Sequence, residues 1–220
     1  MRDKGYKAVL FDLDGTLLDT LEDLAVASNR VLAGRGLPEH PIDAYRYFVG
    51  SGLNTLIERI IPATHRDPEQ VQLFIADFER EYARNWRATT RPYPGIADLL
   101  DQLVARGLRL AVLSNKPQDF TRLCVETLLA DWHFDPVFGK RPGVPKKPDP
   151  AAALEIVALL AMEPGEVLYL GDTGIDMQTA GAAGMDGVGV LWGFRDAAEL
   201  KGAGAKALLA RPLDLLALLG

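Results

Sequence analysis

The sequence predicts an α/β fold: a doubly wound, mostly parallel sheet carrying an inserted all-helical cap. Three observations predict it. The runs Leu110-Ala111-Val112-Leu113 and Val167-Leu168-Tyr169-Leu170 are apolar throughout rather than alternating, as strands covered on both faces must be. Beyond Gly95, strand-like and helix-like stretches alternate, the rhythm of parallel crossover units. Between residues 18 and 90 the apolar period is helical instead, so two kinds of unit share the chain.

In chain order, residues 7–11 read as a short buried strand that stops at Asp12-Leu13-Asp14-Gly15-Thr16, where turn-forming residues take over. Helical spacing then recurs in three sets: Leu21, Leu24, Ala25, Ser28, Val31 and Leu32; Leu53, Leu56, Ile57 and Ile60; Val71, Phe74, Ile75, Phe78 and Tyr82. Pro38, Pro41, Pro62 and Pro68 punctuate this block at predicted loops and helix starts, where a missing N–H does least harm. After Arg91-Pro92-Tyr93-Pro94-Gly95 the sequence predicts a helix over 95–106, a strand over 109–113 and a helix over 118–129. A helix over 150–161, a strand over 167–170, a helix over 173–184 and a strand over 188–191 follow. The Ala- and Gly-rich stretch 202–210 reads as a loop leading to a short edge strand. The first strand needs the later sheet as its partner, so the helical block is an insertion: core over 1–17 and 91–220, helical cap over 18–90.

Length and charge limit what such a chain does. At 220 residues it is about 1.5 times a typical domain, enough for a sheet with an insertion. Its 24 basic against 30 acidic side chains give −6, which disfavours nucleic acid or an anionic membrane as a general partner. No apolar run is long enough for a membrane span, and residues 1–7 lack the apolar stretch of a signal peptide; the expectation is a cytoplasmic protein, monomeric or homodimeric. Cys124 is the single cysteine, set among Phe120, Leu123 and Leu128 at helical spacing, and reads as packing. His40, His65 and His133 are scattered without a metal-ligand spacing.

In doubly wound sheets, chemistry gathers beyond the carboxyl ends of the strands. Three predicted strands end in polar residues: Asp12 and Asp14, then Ser114 and Asn115, then Gly171 and Asp172. Asp12 and Asp14 share a side if extended backbone persists, and Asp172 and Asp176 share a helix face, so four carboxylates are expected to converge. Clustered carboxylates repel unless a cation relieves them, and oxygen donors without His or Cys favour Mg²⁺. Backbone N–H groups of Gly15 and Thr16, the Ser114 hydroxyl and a cation from Lys146-Lys147 are parts suited to gripping a phosphoryl group. There is no GxxxxGK[ST] loop, and Trp192 replaces the third glycine of a dinucleotide fingerprint begun at Gly187-Val188-Gly189.

Phe11-Asp12-Leu13-Asp14-Gly15-Thr16-Leu17, Leu113-Ser114-Asn115, Lys147-Pro148-Asp149-Pro150 and Gly171-Asp172-Thr173-Gly174-Ile175-Asp176 resemble, in order and spacing, the four motifs of the haloacid dehalogenase-like hydrolase superfamily. Within it the chain is most similar to the phosphoglycolate phosphatase group, which carries a helical cap after the first motif. The resemblance implies a Rossmann-like core and a phosphatase. Asp12 would be the nucleophile, forming an aspartyl-phosphate. Asp14 would protonate the leaving oxygen and later deprotonate the water. Mg²⁺ would be held by the Asp12 side chain, the Asp14 backbone carbonyl and Asp172, with Asp176 in support. Ser114 and Lys147 would neutralise the transferring oxygens, Asn115 would shape the phosphate pocket, and Lys146 would be surface charge.

Specificity is expected in the cap. Residues 17–20 and 91–95 would be its hinges, and Gly50-Ser51-Gly52 resembles the substrate-specificity loop of related caps. The row Arg80, Arg84, Arg87 and Arg91 reads as a solvated face paired with Asp77, Glu79 and Glu81, and Trp192 and Phe194 read as packing. No lysine lies between Lys7 and Lys116, which disfavours a phosphonatase needing a cap lysine; the intact Asp12, Asp14 pair disfavours halogen displacement. The expected ligand is a small phosphate ester, with phosphoglycolate foremost. A sugar-phosphate mutase and a nucleotide or pyrophosphate phosphatase on the same core are the alternatives, and a non-catalytic phosphate-ligand binding protein is the alternative of another class.

Overall fold

A computed structural model of the chain describes residues 5–219; residues 1–4 and Gly220, the outer ends of the expected core unit, lie outside them. The strands are β1 (Ala8–Phe11), β2 (Leu18–Asp19), β3 (Arg91–Pro92), β4 (Arg109–Pro117), β5 (Phe134–Lys140), β6 (Val167–Gly171), β7 (Asp186–Val190) and β8 (Ala207–Leu209). The helices are α1 (Leu21–Gly34), α2 (Tyr45–Phe48), α3 (Leu53–Ile60), α4 (Pro68–Asn85), α5 (Ile96–Ala105), α6 (Gln118–Leu128), α7 (Ala151–Leu160), α8 (Gly174–Ala182), α9 (Ala197–Gly202) and α10 (Leu216–Leu219). Six strands form one sheet in the order β5-β4-β1-β6-β7-β8, and every pairing in it is parallel.

The chain leaves β1 for β4 and β5 on one side, then returns across to β6, β7 and β8 on the other. The winding direction therefore reverses between β1 and β6, and the crevice beyond their carboxyl ends is where such sheets hold ligands. The uniformly apolar strands have the predicted cause. Val9, Phe11, Val112 and Leu170 pack into one layer, while Leu10, Ala111, Leu113 and Tyr169 pack into the other with Ile156, Val157 and Leu160 of α7. Full burial of each large apolar side chain contributes about 1.5–3 kcal/mol, so β1 is anchored from both faces.

Helices α1 to α4 lie between β2 and β3, which pair antiparallel, Leu18 with Pro92 and Asp19 with Arg91. The apolar positions picked out by helical spacing face inward: Leu24, Val31, Leu56, Ile57, Phe74, Phe78 and Tyr82 are buried. Pro68 opens α4 at its first position, and the Asp67 side chain accepts from the Gln70 N–H at 3.0 Å, the usual way to satisfy an orphan donor at a helix start. Asp23, in the first turn of α1, is 5% exposed and accepts from the N–H and hydroxyl groups of both Thr89 and Thr90 at 2.7–3.1 Å. That clip ties the first helix of the insertion to the segment re-entering the sheet.

Two details differ from the sequence reading. Strand β4 runs on to Pro117 instead of stopping at Leu113, because Ser114, Asn115 and Lys116 remain buried. Strand β5 was not expected; Pro136 and Gly139 interrupt its pattern and its register against β4 is irregular. Within the expected hinges 17–20 and 91–95, residues 18–19 and 91–92 form the two-residue ladder of β2 and β3.

Candidate active site

The site begins with the turn that closes β1. Asp12 and Asp14 follow the strand, and the turn then folds back on itself: the Gly15 N–H donates to Leu18 O at 2.9 Å and the Thr16 N–H to Leu13 O at 3.3 Å. Both donors expected to grip phosphate are therefore engaged inside the turn, which corrects that expectation. Gly15 serves another purpose. Its φ is +85°, and a Cβ there would stand 2.3 Å from Asp172 Oδ2, so only glycine lets the turn approach that carboxylate. Gly171 is required in the same way, since a Cβ would meet the Asp176 side chain at 2.2 Å.

Asp12, Asp172 and Asp176, all buried, each offer a carboxylate oxygen within 4.8 Å of the others. Asp172 directly follows β6, and there Phe194 N–H donates to its Oδ2 at 2.8 Å and the Thr16 hydroxyl to its Oδ1 at 3.3 Å. Asp176 sits in the first turn of α8, its Oδ2 accepting from the Thr173 N–H at 3.1 Å and hydroxyl at 2.6 Å in a reciprocal cap. Lys147 lies between the acids, 2.9 Å from Asp12 Oδ1 and 2.7 Å from Asp176 Oδ1, and also donates to Leu113 O at 3.0 Å.

One ammonium does not balance three carboxylates. Burial pushes the Asp12 carboxyl up to about 7, with Lys147 pulling it back and the Asp176 and Asp14 charges adding to the rise. Burial, then the charges of Asp12 and Asp176, holds Asp172 well above the ordinary carboxylate value. Burial alone would lower the Lys147 ammonium, but Asp12 and Asp176 more than reverse it and hold it well above the usual lysine value. Unrelieved negative charge in an all-oxygen donor set, with no His or Cys in the group, is what a hard divalent cation neutralises. The residues fit such an ion.

Asp14 departs from the expected four-acid convergence. Its carboxylate is taken by Lys116, whose Nζ stands 3.0 Å from Oδ1 and 3.4 Å from Oδ2; a buried ammonium must be paired, and Asp14 is its partner. Three acids converge, and Asp14 stands apart from them, lining a cavity together with Asp12. That cavity, about 50 Å³, is lined below by Asp12, Asp14, Ser114 and Asn115 and roofed by Leu24, Leu56 and Phe78 of the insertion. Sequence reasoning missed Lys116 and Tyr82; the available signal was a lysine directly after Ser114-Asn115 on a strand buried on both faces.

The insertion is tied down through main-chain carbonyls. Arg195 donates to Val49 O at 3.1 Å, Asn115 to Gly50 O at 3.1 Å and Lys146 to Ser51 O at 2.8 Å, while Arg46 reaches across to Gly193 O at 2.9 Å. Asn115 also donates to Lys147 O at 3.1 Å and accepts from the Lys147 N–H at 2.9 Å, so its amide shapes the pocket by joining three segments. Lys146 is thus more than solvated charge, since it also donates to the Thr55 hydroxyl at 3.1 Å. Gly50 and Gly52 line the cavity; Ser51 faces the outer groove beside Lys146. Trp192 and Phe194 pack as expected and also hold the site, Trp192 Nε1 donating to Thr16 O at 2.9 Å and Phe194 N–H to Asp172.

The other residues singled out fall into place away from this cavity. Arg80 pairs with Asp77 and Arg84 with Glu81 on the outer face of α4. His40 Nε2 bonds Ile60 O at 2.8 Å inside the insertion. Cys124 is buried, and burial pushes its thiol up to about 11.

A doubly wound sheet, carboxylates and a lysine at its switch point, and a helical insertion over them define a carboxylate-centred α/β hydrolase. The family model for haloacid dehalogenase-like hydrolases matches residues 9–190. Phosphoglycolate phosphatase of Aquifex aeolicus (strain VF5) is 32% identical over 213 residues, 97% of this chain and 96% of that protein. Phosphoglycolate phosphatase of Pseudomonas putida KT2440 is 34% identical over 192 residues, 86% of this chain and 70% of its own. A crystal structure from Lactobacillus delbrueckii subsp. bulgaricus, of a protein provisionally named phosphoglycolate phosphatase, superposes with a TM-score of 0.90 at 31% identity, covering 98% of each chain. The chain belongs to the haloacid dehalogenase-like hydrolase family. It is an enzyme of the phosphatase kind, and among its described residues no helix is long and apolar enough to cross a membrane.

Proposed function

We propose that the chain is a cytoplasmic, Mg²⁺-dependent phosphomonoester hydrolase acting on a small phosphorylated metabolite, phosphoglycolate foremost, through an aspartyl-phosphate. The observation that carries this reading is the buried group Asp12, Asp172 and Asp176 with Lys147 between them, at the switch point of the sheet, with Asp12 opening from that group onto the cavity roofed by the insertion. The relatives over nearly the whole chain are phosphoglycolate phosphatases.

Asp12, Asp172 and Asp176, with the Asp14 main-chain carbonyl, would hold Mg²⁺, which when bound neutralises charge on the phosphoryl oxygens and the attacking carboxylate. An Asp12 carboxylate oxygen attacks phosphorus in line, the new O–P bond forming as the ester P–O bond breaks. Asp14 gives its proton to the departing oxygen. In the second half Asp14 removes a proton from water, whose oxygen attacks the same phosphorus, releasing inorganic phosphate and restoring Asp12. Lys147 and the Ser114 hydroxyl meet the charge on the equatorial oxygens, pre-placed before reaction. The insertion excludes bulk water from the cavity.

The test is phosphate release from phosphoglycolate, p-nitrophenyl phosphate, a hexose phosphate and a nucleoside monophosphate with Mg²⁺, wild type against Asp12→Asn. Expected are a loss of at least about 10³-fold in the variant, as for removal of a nucleophile, and a kcat/KM for phosphoglycolate at least about tenfold above the larger esters. Equal rates in the two proteins would remove the covalent mechanism, and a preference for larger esters would remove the substrate assignment.

A further inference from the structure

Lys116 is 8% exposed, and an ammonium so buried costs several kcal/mol unless its partners compensate. Two do so, and they belong to different parts of the molecule. Asp14, on the turn after β1, receives Nζ at 3.0 and 3.4 Å. The hydroxyl of Tyr82, on α4 of the insertion, accepts from the same Nζ at 2.9 Å, with the ammonium 4.7 Å from the ring centroid. The ring itself is fixed by stacking on Phe78 at 5.4 Å and an edge contact with Phe120 at 5.1 Å. Asp14, Lys116 and Tyr82 all line the cavity. Asp12, two positions before Asp14, meets a different cation, Lys147.

We infer that Lys116 and Tyr82 are positioning residues for the leaving-group acid: the insertion delivers the Tyr82 hydroxyl, which orients the Lys116 ammonium, which in turn holds the Asp14 carboxyl toward the departing oxygen. The inference rests on the phosphatase reading and on Asp14 as its acid. It makes general-acid assistance complete only while α4 sits on the core. A purely structural ion pair would look the same in a static structure but would not care which ester is cleaved.

The experiment compares kcat/KM of wild type, Tyr82→Phe and Lys116→Met for two esters with Mg²⁺. An aryl ester, p-nitrophenyl phosphate, releases an acidic phenol that needs little protonation; an alkyl ester, phosphoglycolate, releases an alkoxide that must be protonated. Because kcat/KM reads only the steps up to departure of the leaving group, the later water attack does not enter it. General-acid help is worth about 10²–10⁴-fold. Lys116→Met is expected to lose at least about tenfold more on the alkyl ester than on the aryl ester. Tyr82→Phe, which keeps the ring packing and removes only the hydroxyl, is expected to show the same bias at about threefold or more. Equal proportional losses on both esters, or no loss on either, overturn the inference while leaving the phosphatase reading intact. A wild type inactive on both esters removes that reading, and the inference with it.

Discussion

Asp172→Asn separates the cost of crowding carboxylates from the benefit of the ion that relieves them. In the metal-free protein Asp12, Asp172 and Asp176 have oxygens within 4.8 Å of one another, and burial with the Asp12 and Asp176 charges holds the Asp172 carboxyl well above the ordinary value; at pH 7 the folded state must therefore take up a proton there or bear a crowded charge, at about 1.4 kcal/mol per unit of difference from the unfolded chain. An amide at position 172 neither ionises nor takes up a proton, so Asp172→Asn is expected to stabilise the metal-free protein by about 1–2 kcal/mol, raising Tm by about 2–8 °C. The substitution preserves local bonding: the amide oxygen can accept from Phe194 N–H, and the Thr16 hydroxyl, now a donor to Asp172, can accept from the amide NH₂. Wild type titrated with Mg²⁺ to about a hundred times its Kd should gain about 2.7 kcal/mol, a rise of about 5–11 °C, and the variant should gain little. The assay is a thermal melt of both proteins with chelator and with increasing Mg²⁺, which needs no substrate. A metal-free variant several degrees less stable than wild type, or an equal Mg²⁺-dependent rise in both, would refute the charge argument.

Two further outcomes follow from contacts outside that cluster. Burial alone would raise the Asp23 carboxyl, but the bonds from Thr90 and Thr89 outweigh it and hold it below the ordinary carboxylate value. A depressed folded value means stability present above about pH 4 and lost as pH falls through the folded value; Asp23→Asn should therefore cost about 1–3 kcal/mol at pH 7 and progressively less below pH 4, read from urea midpoints of both proteins across pH, and a gap independent of pH would sink this account. Lys146→Met removes the exposed bonds to Ser51 O and the Thr55 hydroxyl; kcat/KM for a small ester should fall about two- to fivefold while Tm stays within about 2 °C, consistent with a surface contact worth under about 1 kcal/mol, whereas a large drop in Tm would mean the contact holds the fold rather than the closure.

What was legible in the sequence, and what was not, divides along the range of the interactions. The strands β1 and β6 could be read because burial on both faces removes every polar residue from Ala8–Phe11 and Val167–Gly171. The insertion could be read because Leu24, Val31, Phe74 and Phe78 repeat with helical period. Strand β5 could not, since Asp135, Pro136 and Gly139 contradict a strand pattern and its place at the sheet edge is set by β4 alone. Among site residues, Asp12, Asp172 and Asp176 were visible as acids at strand ends and a helix start. The diversion of Asp14 was hidden, because it depends on Lys116, 102 positions later, and on Tyr82 from another unit. The engaged N–H groups of Gly15 and Thr16 were hidden for the opposite reason, being decided by main-chain bonds to Leu18 and Leu13 within the turn, which residue type does not specify.

The two lysines explain how a pair of aspartates two residues apart can be given different work. Chemically they are the same group on the same turn, and only their surroundings can distinguish them. Asp12 is held by Lys147 within the group that includes Asp172 and Asp176, an environment whose excess negative charge suits a metal ion and, on the proposed mechanism, would leave a carboxylate oxygen beside it to attack. Asp14 is paired with Lys116, whose second partner belongs to the insertion, so its setting is tied to the roof. The Asp14 charge still adds to the rise in Asp12, so the two remain coupled, and the separate cations bias them unequally rather than isolate them. On the proposed mechanism, separate counter-ions, one rooted in the core and one shared with the insertion, would make the acid, rather than the nucleophile, the group that closure controls.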